Sequence, residues 1–157
     1  MKILILGAGA LGSILGGHLA RAGEAVTIIA RGRRAEYLEQ HGITVTGLAE
    51  FTVPVAVTTK PQTVPEADIL VVAVKTYDTD PALASVRHLR VGSVLSIQNG
   101  VLKDEQLANT FGWDKTVGAA AFLSGSLTPA GPVRFTVNEY LTLGNCRGAR
   151  PNVSRLL

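Results

Sequence analysis

Short continuous apolar runs alternate with stretches of helical spacing along the first two-thirds of this chain. Ile3-Leu4-Ile5-Leu6 is apolar at every position, as in a strand covered on both faces of a parallel sheet. Ala10–Ala22 has helical character and breaks at Gly23, and Ala25–Ala30 is a second apolar run. Arg33–Gln40 predicts the next helix. Ile43–Thr46 and Phe51–Thr58 flank Gly47 as a hairpin or two short strands, followed by a connector over Lys60–Glu66 with Pro61 and Pro65. Ile69–Val74 reads as the fourth strand, entered from Asp68, and Tyr77–Leu89 as a helix with Pro81 near its first turn. Ser93–Ile97 is another buried strand and Lys103–Phe111 a short helix. After Trp113 the pattern turns to strands at Thr116–Ser124, Val133–Asn138 and Tyr140–Leu143, with a turn-rich segment over Gly125–Pro132. Residues 1–144 read as one domain. The polar stretch 145–157, with Pro151, reads as a linker or the opening of a helix.

Between the first strand and the first helix stands Gly7-Ala8-Gly9-Ala10-Leu11-Gly12, a G-x-G-x-x-G turn. In a β-turn-α-β unit of about thirty residues this spacing has a mechanism. Gly7 permits the tight turn, Gly9 lets the backbone approach a pyrophosphate, and Gly12 lets helix and strand pack closely. The start of the helix adds unpaired N–H groups and a positive dipole end. A secretory leader is a poor alternative, because glycines crowd the apolar stretch. A membrane span, suggested by Gly12 and Gly16, fails on length, since His18 and Arg21 close the run short of about twenty residues. The fold expected is α/β: a Rossmann-like, doubly wound, mostly parallel sheet with a β-rich C-terminal extension.

Composition fits that class, with 46% hydrophobic and 17% charged residues in 157. A single cysteine, Cys146, excludes an intrachain disulfide and a multi-cysteine zinc site. We expect a cytoplasmic protein. The net charge of +3 is not gathered into a long basic run, and aromatics make up only 5%, which argues against nucleic acid. His18, His41 and His88 are scattered, with no metal-ligand spacing, and G-x-S-x-G is absent.

The strand exits carry the candidate chemistry, since ligands of open parallel sheets bind beyond the carboxyl ends of strands. At the second exit, where an acid would accept from a ribose 2′-OH, stands Arg31, with Arg33 and Arg34 behind it. A guanidinium grips a 2′-phosphate that a carboxylate would repel, so the expected cofactor is NADP(H). Lys75 leaves the next long strand, placed to neutralise a phosphate or orient the nicotinamide ribose. Asn99, both donor and acceptor, leaves the one after, placed to bridge cofactor and substrate. No convincing proton donor for a carbonyl reduction stands out.

Met1–Gly12 with Arg31, Val74-Lys75-Thr76-Tyr77 and Gln98-Asn99-Gly100-Val101 together resemble the N-terminal domain of the ketopantoate reductases (2-dehydropantoate 2-reductases). Gly118–Ser124, Pro129–Val133 and Leu141–Gly144 resemble the β-rich end of that domain. The resemblance implies NADPH-dependent reduction of a 2-oxo acid, ketopantoate to pantoate, on the route to pantothenate and coenzyme A. It places the pyrophosphate on Gly7–Gly12, the 2′-phosphate on Arg31, and Lys75 and Asn99 beside the nicotinamide. Ser124 falls where the family has a small residue touching the cofactor. Pro129-Ala130-Gly131-Pro132 departs from the family's Pro-Gly turn. The family's catalytic lysine and substrate-holding residues belong to a C-terminal helical domain, so the expectation is a cofactor-binding half, shortened and without catalytic residues of its own. Other expectations are a different 2-oxo acid as substrate, a stand-alone NADP(H)-binding module or sensor, and a homo-oligomer formed through an exposed inter-domain surface.

Overall fold

In the computed structural model, which describes residues 1–146 and the backbone of 154–155, β1 (Lys2–Leu6) lies inside a ten-stranded sheet. Its neighbours are β2 (Ala25–Ile29) on one side and β6 (Glu66–Val72) on the other, both parallel to it. β7 (Arg90–Ser96) and then β8 (Thr116–Leu127) continue the parallel set beyond β6, while the short β5 (Ala56–Thr58) closes it beyond β2. The fully apolar β1 sits there because both its faces are covered. Ile3 and Ile5 pack with Ile14 and Leu15 of α1 (Ala10–Arg21) and with Leu38 of α2 (Gly32–His41). Leu4 and Leu6 face the other way, toward Leu83 and Val86 of α3 (Thr79–Val86) and Leu107 of α4 (Lys103–Phe111). Helices on both faces make this the α/β, doubly wound arrangement expected.

The far edge is antiparallel. β8 pairs along its length with β9 (Val133–Asn145), which carries β3 (Ile43–Gly47) parallel to it and then β4 (Phe51–Val53). The sheet curls, so α1 touches β1 and β2 on one side and β3, β4, β8 and β9 on the other. That enclosure explains the helix's glycines. A Cβ on Gly16 would stand 3.3 Å from Ile28, and one on Gly17 would stand 3.0 Å from Ile43. Gly16 and Gly17 thus serve helix-sheet contact, and no helix among the described residues is long and apolar enough to cross a membrane.

Several element boundaries differ from expectation. The apolar run over 51–58 is two strands, broken at Pro54 and divided between opposite ends of the sheet; with β3 counted separately, the strand at Glu66 is sixth in the chain rather than fourth. The helix expected at Tyr77 begins as a 3-10 turn at Thr76–Asp78 and becomes α-helical only at Thr79, with Pro81 in its first turn, where a missing N–H costs nothing. Val133–Asn138 and Tyr140–Leu143 are one strand. The expected interruption, Glu139, is a bulge opposite Phe122/Leu123, and Thr136, inside the first expected strand, is a second opposite Ser124/Gly125. β8 also runs on to Leu127, shortening the expected turn. Of the stretch 145–157, most lies outside the described residues; Ser154–Arg155 pairs antiparallel with Thr142 and Leu143 of β9.

Candidate functional site

The C-terminal ends of β1, β2, β6 and β7 open onto a single cleft of about 750 Å³. Gly7, Ala8, Gly9, Ala10 and Leu11 form its floor. Arg31, Lys75 and Asn99 stand at the exits of β2, β6 and β7, and Ser124 contributes from β8. Gly12 alone of the expected site residues does not line it. A Cβ on Gly12 would run into the carbonyl oxygen of Gly7, so this residue serves the contact between helix and turn.

The turn is built so that its backbone is available. Gly7 has φ +115°, a conformation open to glycine, and the β6 exit comes so near that a Cβ would stand 2.8 Å from Val74 N. Gly9, at φ −68°, needs no such freedom, and a Cβ there would meet only Ala73 O, at 4.0 Å. Nothing among the described residues requires glycine at position 9; the space its side chain leaves opens to the cleft. Gly9 is also the N-cap of α1, without a side-chain cap, and the first turn contains no acid. Its N–H groups and the dipole's positive end are therefore free for an anion.

The cations differ in their commitments. Arg31 (the N-cap of α2) and Lys75 are exposed, with no side-chain hydrogen bond or ion pair among the described residues; Asn99 likewise has no side-chain bond. Arg34, one turn further along α2, is half-buried. Its Nε donates to Ala8 O at 3.1 Å and one terminal nitrogen donates to Ser13 Oγ at 2.8 Å. Burial lowers its pKa below the ordinary guanidinium value, with Tyr37 opposing. Among the described residues Asp78 is the one carboxylate on the cleft wall.

Sequence reasoning passed over Gln98. Its buried amide Nε2 donates to Val74 O at 2.7 Å and to Thr79 Oγ1 at 2.8 Å, and its Oε1 accepts from Ser96 Oγ at 2.8 Å. This amide joins the β6 and β7 exits and so sets where Lys75 and Asn99 begin. Its place directly before Asn99 was the available signal; Val74 and Thr79, the partners of its Nε2, are distant in sequence and were not.

The family model for ketopantoate reductase PanE/ApbA matches residues 3–148. The chain belongs to that family. It is 39% identical over 147 residues to the 2-dehydropantoate 2-reductase of Pyrococcus abyssi, covering 92% of this chain and 47% of that protein. With the 2-dehydropantoate 2-reductase of Archaeoglobus fulgidus it shares 35% identity, over 94% of this chain and 48% of the relative. The crystal structure of 2-dehydropantoate 2-reductase from Geobacter metallireducens superposes with a TM-score of 0.87 at 30% identity, over 96% of this chain and 51% of that one. The chain thus spans about half the length of these relatives.

Proposed function

We propose that this chain is the dinucleotide-binding half of an NADPH-dependent 2-oxo acid reductase, with ketopantoate, reduced to pantoate, as the substrate. The observation that carries this reading is the open space at Gly9 on a bare helix N-terminus, flanked by an unpartnered Arg31. Across the sheet the order β2, β1, β6, β7 sets out Arg31, the glycine turn, Lys75 and Asn99 in sequence. Three interstrand steps of about 4.8 Å separate the first from the last. Arg31 would hold the 2′-phosphate, the amides from Gly9 onward the pyrophosphate, and Lys75 and Asn99 the nicotinamide ribose and the substrate's oxygen. When bound, NADPH supplies the hydride. Ser124 would contact the cofactor from the β8 wall, and Gln98 would keep the Lys75 and Asn99 exits in register.

Among the described residues the cleft wall contains no histidine or cysteine. Lys75 is the candidate donor of a proton to the developing alkoxide, and this reading assigns it to the cofactor. The 157-residue polypeptide alone is therefore expected to bind NADP(H) and to turn over ketopantoate very slowly or not at all. Calorimetric titration with NADPH and with NADH tests the reading. The expectation is tighter binding of NADPH, reduced about ten- to a hundredfold by Arg31→Ala with NADH little changed, as loss of charge-assisted hydrogen bonds would give. Failure to bind either dinucleotide would sink it.

A further inference from the structure

We propose that Arg34 is a positioning residue that ties the glycine turn to the β8–β9 loop, so that the phosphate-facing amides and the β8 wall of the cleft are held as one unit. The proposal rests on the dinucleotide reading of the site and names a residue that the reading leaves without a role.

Arg34 lies on α2 three residues beyond Arg31, yet the two side chains are used differently. All three of Arg34's guanidinium nitrogens are engaged: Nε with Ala8 O, one terminal nitrogen with Ser13 Oγ, and the other with Gly131 O. Ser13 Oγ in turn donates to Ala8 O at 3.2 Å, so that carbonyl is held twice. The carbonyl of Ala8 and the N–H of Gly9 share one rigid trans peptide and point in opposite directions. Anchoring the oxygen therefore aims the Gly9 N–H, which no carbonyl or side chain among the described residues accepts.

The other end of the tie is equally specific. Gly131 has φ +106°, and a Cβ on it would collide with the ring of Tyr37. That ring lies 5.3 Å from the Arg34 guanidinium carbon and stacks on His41 at 4.6 Å. The loop is closed on itself by Thr128 N and Oγ1, both donating to Pro132 O at 2.9 Å, and by Gly131 N donating to Thr128 O at 3.0 Å. Pro129-Ala130-Gly131-Pro132 is thus a turn that presents the Gly131 carbonyl to Arg34. The same hairpin brings Ser124, Gly125 and Leu127 to the cleft. Three acceptors around one planar fork suit a guanidinium, and an ammonium cannot reach all of them.

The test compares Arg34→Met and Arg34→Lys with Arg31→Ala, reading NADPH and NADH affinity and, without ligand, amide exchange by NMR. Both Arg34 variants are expected to lose NADPH and NADH by the same factor, about tenfold, because the pyrophosphate is common to both. Exchange at Ser13 and Gly131 should accelerate together, with β1 and β6 unchanged. Loss confined to NADPH would overturn the proposal and make Arg34 a 2′-phosphate ligand. So would full affinity in Arg34→Lys, or unchanged affinities with only a lower melting temperature. If the unsubstituted protein binds neither dinucleotide, the cofactor reading falls by itself, and the exchange data alone decide the tie. Joint acceleration upholds it, and acceleration at only one of the two sites refutes it. Should Arg34→Met fail to fold, Arg34→Lys gives the same readouts.

Discussion

A methyl group placed on Gly7 or on Gly9 meets opposite surroundings, which separates folding from binding within one turn. At Gly7 it would press on Val74 N at 2.8 Å and on the Ala73 carbonyl carbon at 2.9 Å, from a backbone of positive φ. Gly7→Ala should therefore destabilise the protein by about 2–4 kcal/mol, measured by denaturant unfolding. At Gly9 the φ of −68° accepts alanine and the space is open. Gly9→Ala should cost at most about 1 kcal/mol of stability, the loss of a tolerable N-cap, while weakening NADPH binding at least tenfold. A Gly9→Ala protein with native affinity would show that no ligand approaches there. The G-x-G-x-x-G spacing assigns Gly7 to the turn, Gly9 to backbone approach and Gly12 to packing; the neighbours' coordinates add what a Cβ would meet at each. Arg34 was legible as a charge and not as a clamp, because Ala8, Ser13 and Gly131 come together only in the folded chain.

At the scale of elements, the strand exits are held to one another by Gln98, and α1 is held to the curled edge by apolar contact. Gln98→Leu would leave Val74 O without its amide donor and deprive Thr79 and Ser96 of a partner. The expected cost is about 1–3 kcal/mol in chemical denaturation, with weaker dinucleotide binding as Lys75 and Asn99 shift. An unchanged midpoint and affinity would refute this role. At the other side, His18 of α1 lies edge-on to Phe51 at 5.0 Å and to Phe135 at 5.7 Å. Its Nε2 is buried without a hydrogen-bond partner among the described residues. Burial, and then the charge of Arg21, lower its pKa from 6.5. The unfolded chain thus takes up this proton first as pH falls, so stability is full above the unfolded value and declines through the lower folded one. His18→Met should flatten the fall in melting temperature between about pH 7 and the lower pKa; an unaltered slope would assign the pH dependence elsewhere. The parallel elements were readable because continuous apolar runs mark strands covered on both faces. The curl was not, since the partners of β3, β4 and β9 are set by long-range pairing; of the two bulges, Glu139 looks like a break in a linear pattern and Thr136 lies unmarked inside the expected strand.

Taken whole, the molecule covers the two faces of its sheet unequally. On β8, Ala119, Ala121 and Leu123 point into the α1 core, whereas Ala120, Phe122 and Ser124 are exposed on the opposite face. There Phe122 stacks on Tyr140 of β9 at 5.9 Å, the two rings 56% and 42% accessible. Tyr77, Val101 and Leu102, on the segments that follow β6 and β7, are also exposed. Exposed aromatic and aliphatic groups in such number favour association over solvation, and a net charge of only +3 offers little repulsion against it. With residues 1–157 alone in solution, the weight-average mass from sedimentation equilibrium should rise with concentration above that of one chain. Phe122→Ser combined with Tyr140→Ser should bring it back toward the monomer, with NADPH affinity retained because neither ring lines the cleft. A monomer at every concentration would show that this face is adequately solvated. Association that survives both substitutions would move the contact to the rim formed by Tyr77, Val101 and Leu102. On the proposed reading, which sets NADPH beside Lys75 and Asn99, the bound dinucleotide should then weaken it.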